Sequence, residues 1–129
     1  MNKSIIAELV LQAENDLGAA EALKSAGYYG HALFWAHLVL EKLCKAVWVK
    51  MNNNEEYPHL HNLIKLLTQA DIKLNEEQII FFSDMNQFQA KGRYADELEV
   101  REKTVTRELC ELYFVKINIQ IVWLKNLLQ

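Results

Sequence analysis

His37, Glu41, Lys45 and Trp48 follow one another at intervals of three or four residues. On a helix that spacing puts an imidazole, a carboxylate, an ammonium and an indole on one face. Such a row can line a charged groove in which Lys45 meets a phosphate. It can equally be a partly solvated stripe with an i,i+4 Glu–Lys pair, worth roughly a few tenths of a kcal/mol. His59 and His61 flank Leu60 just after Pro58. A metal there would need two further ligands at tetrahedral distance, so no metal and no cofactor is expected. The plainer reading puts His61 near the start of a short helix, hydrogen-bonded locally. Lys91-Gly92-Arg93-Tyr94 is the most distinctive segment. A glycine beside an arginine at a helix end can offer backbone N–H groups and a guanidinium together, which suits bidentate phosphate contact. The alternative pairs Arg93 with a carboxylate such as Asp16 or Glu41 and lays Tyr94 over it as a lid.

The elements that must position these groups are helices. The chain has 129 residues, four glycines and one proline. That is one domain with one core, spanning 1–129, and too few breakers for a sandwich or barrel. No glycine or proline falls between Gly30 and Pro58 or after Gly92. The first helix is predicted from about Lys3 to about Ala26, with Ser4 as N-cap and Ile6, Leu9, Val10, Ala13, Leu17 and Ala20 as its buried stripe. Gly18 inside it suggests a closely crossing helix. The second runs from about Tyr29 to about Met51 and is apolar nearly all round, so it sits in the middle of a bundle or is covered by a partner. A short helix follows Pro58, from about Leu60 to Ala70, with Leu63, Leu66 and Leu67 facing in. Asn75 with Gln78 reads as a capping box for a helix reaching about Lys91, with Ile79, Phe82, Met85 and Phe88 as knobs and Gly92 as its stop. The last helix is predicted from about Lys103 to Leu128, on Val105, Leu109, Leu112, Ile119, Val122 and Trp123. The sum is an all-α, up-down bundle of four long helices and one short one.

Hydrophobic residues make up 51% of the chain, charged residues 24%, and the formal net charge is −3. This excludes a disordered chain and capture of nucleic acid by the surface as a whole, while leaving room for a local basic pocket. Cys44 and Cys110 lack metal-ligand spacing and fall in apolar stretches. They read as buried thiols of a reducing, cytoplasmic protein. Glu8, Glu14 and Asp16 interrupt any signal-peptide pattern, and no run of apolar residues is long enough to cross a membrane. Tyr28, Tyr29, Phe34, Trp35 and Trp48 supply aromatic surface that a bundle of this size hides with difficulty, and homodimerisation is its expected outlet.

Four pieces occur in order. They are Asn15-Asp16-Leu17 with Ala20; Gly27-Tyr28-Tyr29 with Ala32, Phe34, His37, Glu41-Lys42 and Lys45-Ala46; His61-x-Leu63 with Leu66-Leu67; and Arg93-Tyr94. From about residue 8 to about 125 the chain resembles the HEPN domain (higher eukaryotes and prokaryotes nucleotide-binding). The resemblance implies a helical bundle that usually dimerises. Stand-alone bacterial members are often encoded beside a minimal nucleotidyltransferase, many such pairs being toxin and antitoxin. Some members are metal-independent ribonucleases carrying Arg, four to six residues, then His near the start of the last helix. This chain departs from that pattern, because no histidine follows His61. No catalytic residue is therefore assigned.

Three functions compete. The first is a nucleotide- or RNA-binding module, partner of a nucleotidyltransferase, whose groove is lined by Lys45, Arg93, His37, Glu41, Asp16 and Tyr94. The second is a structural or interaction protein. The third is a divergent metal-independent ribonuclease using Arg93.

Overall fold

The computed structural model describes residues 2–89, 99–100 and 102–129. Its helices include α1 (Asn2–Ser25), α2 (Tyr29–Asn52), α3 (Leu63–Gln69), α4 (Glu76–Met85) and α5 (Arg107–Leu127), with a 3-10 turn over Asn86–Phe88, and residues 99–100 and 102–104 are helical as well. No strand occurs among the described residues, and none of the helices is long and apolar enough to cross a membrane.

Side-chain contacts fix the directions. Lys42 Nζ pairs with Asp16 Oδ2 at 2.5 Å, and Asn2 hydrogen-bonds Asn53, so α1 and α2 are antiparallel. The Cys110 thiol reaches the Tyr29 carbonyl at 3.9 Å, while Lys50 Nζ donates to the Leu127 and Gln129 carbonyls at 3.0 and 2.8 Å. α5 thus runs parallel to α2. Gln78 meets Gln120, and Phe88 packs on Tyr113, so α4 is antiparallel to α5. The long elements go up, down, up and down, and α3 is an insertion lying along the second half of α2.

Helix α2 is the core of this arrangement. Leu33, Ala36, Leu40, Leu43, Cys44 and Val47 are all fully buried, against Leu63, Leu66, Leu67, Phe82, Met85, Ile117 and Leu124 from the other helices. Its aromatic residues Trp35 and Trp48 pack on the same core, and Tyr28 is left exposed just before its start.

Several local expectations differ. Ser4 lies inside α1 rather than capping it. Gly18 has no neighbouring atom within 4 Å of the place a Cβ would occupy, so no helix crosses closely there. The short helix begins at Leu63, capped by Asn62, whose side chain accepts from the Lys65 N–H. The Asn75–Gln78 capping box is present, but α4 stops at Met85, and Gly92 lies outside the described residues. Ile79 is exposed, and Phe81 takes the buried place. The phase of the last helix also differs. Cys110, Phe114, Ile117, Ile121 and Leu124 face the core, whereas Leu109, Leu112, Ile119 and Val122 face solvent. α5 carries two aliphatic stripes, and its aromatic Phe114 goes inward because that buries the larger apolar area.

Three helices end alike. Gly27, Asn53 and Asp71 have left-handed φ of 88°, 48° and 59°, each with the next residue's N–H returning to a carbonyl five residues back. This is the Schellman arrangement. Asn and Asp tolerate it, which is how the chain turns with so few glycines.

Gly27→Ala is expected to destabilise by about 1 kcal/mol, from backbone strain alone, since no atom crowds the added carbon. Gly18→Ala, in an exposed helix interior, is expected to stabilise by about 0.5–1 kcal/mol. Urea unfolding of the two variants checks the opposite signs.

Candidate functional site

Halfway along α2 a carboxylate is buried in the bundle. Glu41 is only 5% exposed, and it is surrounded by titratable groups. Its Oε2 accepts from Lys45 Nζ at 2.8 Å, one helical turn on. Its Oε1 lies 3.0 Å from His61 Nδ1 and 3.8 Å from His37 Nδ1. The i,i+4 spacing puts His37 and Lys45 on either side of Glu41, while His61 arrives from the loop that returns after α2.

That return is held in place. Asn62 caps α3 and accepts from Asn86 Nδ2 at 3.1 Å, and Asn86 Oδ1 accepts from the Leu63 N–H at 2.9 Å. The reciprocal pair ties the start of α3 to the turn after α4. His61 is the residue before this clamp, so its ring is delivered to Glu41 by the backbone rather than by chance of rotamer.

The three partners of the carboxylate differ in charge and access. Lys45 is 8% exposed, and its ammonium stands 5.4 Å from the centre of the Tyr57 ring, a cation–π distance. With Glu41 it forms a neutral pair. His61 has a half-exposed side chain. Because Nδ1 faces a carboxylate, the ring carries its proton there and turns Nε2 outward. His37 is 1% exposed, and neither ring nitrogen has a hydrogen-bond partner of ordinary geometry among the described residues. Burial pushes its imidazolium down to about 4, outweighing Glu41, Asn86 and the main chain at His61, which act in the opposite direction. His37 is therefore a neutral ring at neutral pH. Burial also drives the adjacent Cys44 thiol up, keeping it protonated and inert.

Of the residues singled out by sequence, His37, Glu41 and Lys45 meet in one cluster. Asp16 does not join it, because it is bound to Lys42 on another face of α2. Arg93 and Tyr94 lie outside the described residues. His61 does not bond locally. It spans twenty residues of sequence to Glu41, and no spacing rule points to that. Sequence also passed over His31, whose Nδ1 and main-chain N–H both meet Glu102 Oε1, at 2.5 and 2.6 Å. Among the described residues no three His, Cys, Asp or Glu side chains are placed to hold a metal.

The model of one family, the HEPN domain, matches residues 6–113. The chain belongs to the HEPN domain family. No curated protein and no solved structure matches it. The HEPN match takes in α1 from residue 6 on, α2 to α4 and the first turns of α5, and so the whole Glu41 cluster.

A neutral buried His37 makes stability depend on pH. The unfolded chain takes up a proton there near 6.5, and the folded chain only near 4. Between those values the unfolded state binds more protons, so stability is lost as pH falls from 6.5 toward 4, by up to about 3 kcal/mol. His37→Leu is expected to remove that part of the pH dependence. Urea unfolding of both proteins at the two ends of the window measures it.

Proposed function

We propose that this HEPN domain is a nucleotide- or RNA-binding module that acts as a homodimer. The observation that carries the reading is the His61 imidazole, oriented by a buried carboxylate, with its outer nitrogen at the surface. Lys45 shares that carboxylate, and its ammonium lies over the Tyr57 ring. A phosphate oxygen can accept from His61 Nε2 when the ring is doubly protonated. His59, exposed and edge-on to Tyr57 at 6.3 Å between centroids, extends the same surface.

The partner proposed for the dimer is a minimal nucleotidyltransferase, in a toxin–antitoxin setting, and this rests on the family resemblance alone. An adjacent nucleotidyltransferase gene would support it, and an unrelated neighbour would count against it. A purely structural or interaction role is the second reading, favoured by the solvent-facing aliphatic stripe of α5.

Isothermal titration with ATP, GTP and a short single-stranded RNA separates the two. Binding is expected, weakened about tenfold or more by His61→Ala, which removes one charge-assisted contact at an exposed position. Absence of heat at millimolar ligand would falsify the binding reading and leave the structural one.

A further inference from the structure

The exposed aliphatic residues of α5 are ordered. Leu112, Val115, Ile119 and Val122 follow at intervals of three, four and three, and are 54, 61, 59 and 60% exposed. That is the a/d spacing of a coiled-coil seam over two heptads, lying opposite the stripe that faces the core. The next seam positions on either side are Glu108 and Asn126, both exposed and polar, so the apolar run has a defined length. Beside it, Glu111 and Lys125 fall on the flank toward α1, where Lys125 approaches Glu14 at 3.8 Å. Lys116 falls on the other flank, in the groove against α4 that Glu77, Ile80 and Asp84 also line.

We propose that this seam pairs with the same seam of a second copy of the chain, with the two α5 helices antiparallel. The inference deepens the dimeric part of the proposed function and does not depend on any ligand. The seam is self-complementary about a two-fold axis at the level of Ile117. Leu112 then meets the partner's Val122, and Val115 meets the partner's Ile119. The polar ends match too, with Glu108 opposite Asn126 of the partner subunit. On the flank toward α1, Glu111, which already accepts from its own Arg107 at 3.0 Å, also faces the partner's Lys125, an opposite-charge pair that the symmetry makes twice. A parallel pairing would instead set Glu108 against the partner's Glu108 at a core position. The antiparallel form does bring the two Lys116 side chains near each other across the axis. Each lies in a groove with two carboxylates of its own α4.

Light scattering of the intact protein across micromolar concentrations tests the inference. A dimer is expected. Ile119→Glu, at a solvent-facing position, is expected to keep the circular dichroism of the wild type and to raise the dimer dissociation constant at least about a hundredfold. Single cysteines read the orientation. Asn118→Cys lies near the axis and is expected to form a disulfide dimer on mild oxidation. Leu112→Cys is expected to do so only when mixed with Val122→Cys. The buried Cys44 and Cys110 give a silent background in the wild type. A dimer untouched by Ile119→Glu places the interface elsewhere and overturns this face while leaving the dimeric reading intact. A wild-type monomer throughout overturns both, and leaves ligand binding to the titration. Efficient self-linking of Leu112→Cys overturns the antiparallel arrangement.

Discussion

A single carboxylate in the most deeply buried helix organises this molecule. Helix α2 is covered on nearly every side, yet Glu41 sits halfway along it with its charge out of reach of bulk water. An unpaired carboxylate there would cost several kcal/mol, a large share of what holds a domain of this size together. The fold meets that cost with two neighbours, Lys45 and His61, while a third group, His37, stands close by without bonding it. Lys45 comes from the same helix, and its position follows from helical geometry. His61 comes from a chain return that must place α3 alongside α2, and the Asn62–Asn86 clamp secures that placement. His37 stays neutral, because a second positive group in the same desolvated space would gain too little from a carboxylate already shared. The course of the chain after α2 and the charge state of its polar centre are therefore one problem with one solution.

The surface repeats the theme in reverse. α5 buries Phe114 and branched side chains on one face and shows five aliphatic residues to solvent. A helix with two apolar stripes is stable against its own bundle and still has surface to bury. The network around Glu41 and the seam of α5 lie on different parts of the bundle, so a change in one leaves the other's chemistry untouched.

How much of this the sequence discloses depends on the range of each interaction. The all-round apolar character of α2 reads directly as a central helix, and the Asn75–Gln78 capping box reads as a helix start, because both are local. The row His37, Glu41, Lys45 is legible for the same reason. His61 is not, since its partner is defined by where a loop comes back. The phase of α5 is not legible either. Leu109, Leu112, Ile119 and Val122 satisfy the helical period as well as Cys110, Phe114, Ile117, Ile121 and Leu124 do, and only the position of α2 and α4 chooses between them. The helix ends at Asn53 and Asp71 escape a search for glycine because side chains that tolerate left-handed backbone stand there instead.

The same network also limits what the site can do. Lys45 and Glu41 cancel, and His37 carries no charge, so the cluster presents little net field to an approaching anion at neutral pH. Attraction has to come from direct contact with His61, the member of the cluster with a half-exposed side chain. A phosphate that binds there competes with Glu41 for the same imidazole and ammonium. Binding and the internal pairing are thus coupled. A ligand strong enough to draw Lys45 away would leave Glu41 unpaired in the core, which the fold resists. The favoured mode is one in which the ligand uses only the outer edge of His61, leaving the Glu41–Lys45 pair intact. Affinity is then modest by construction, and the acid limit of the site is set by the stability the bundle loses through His37.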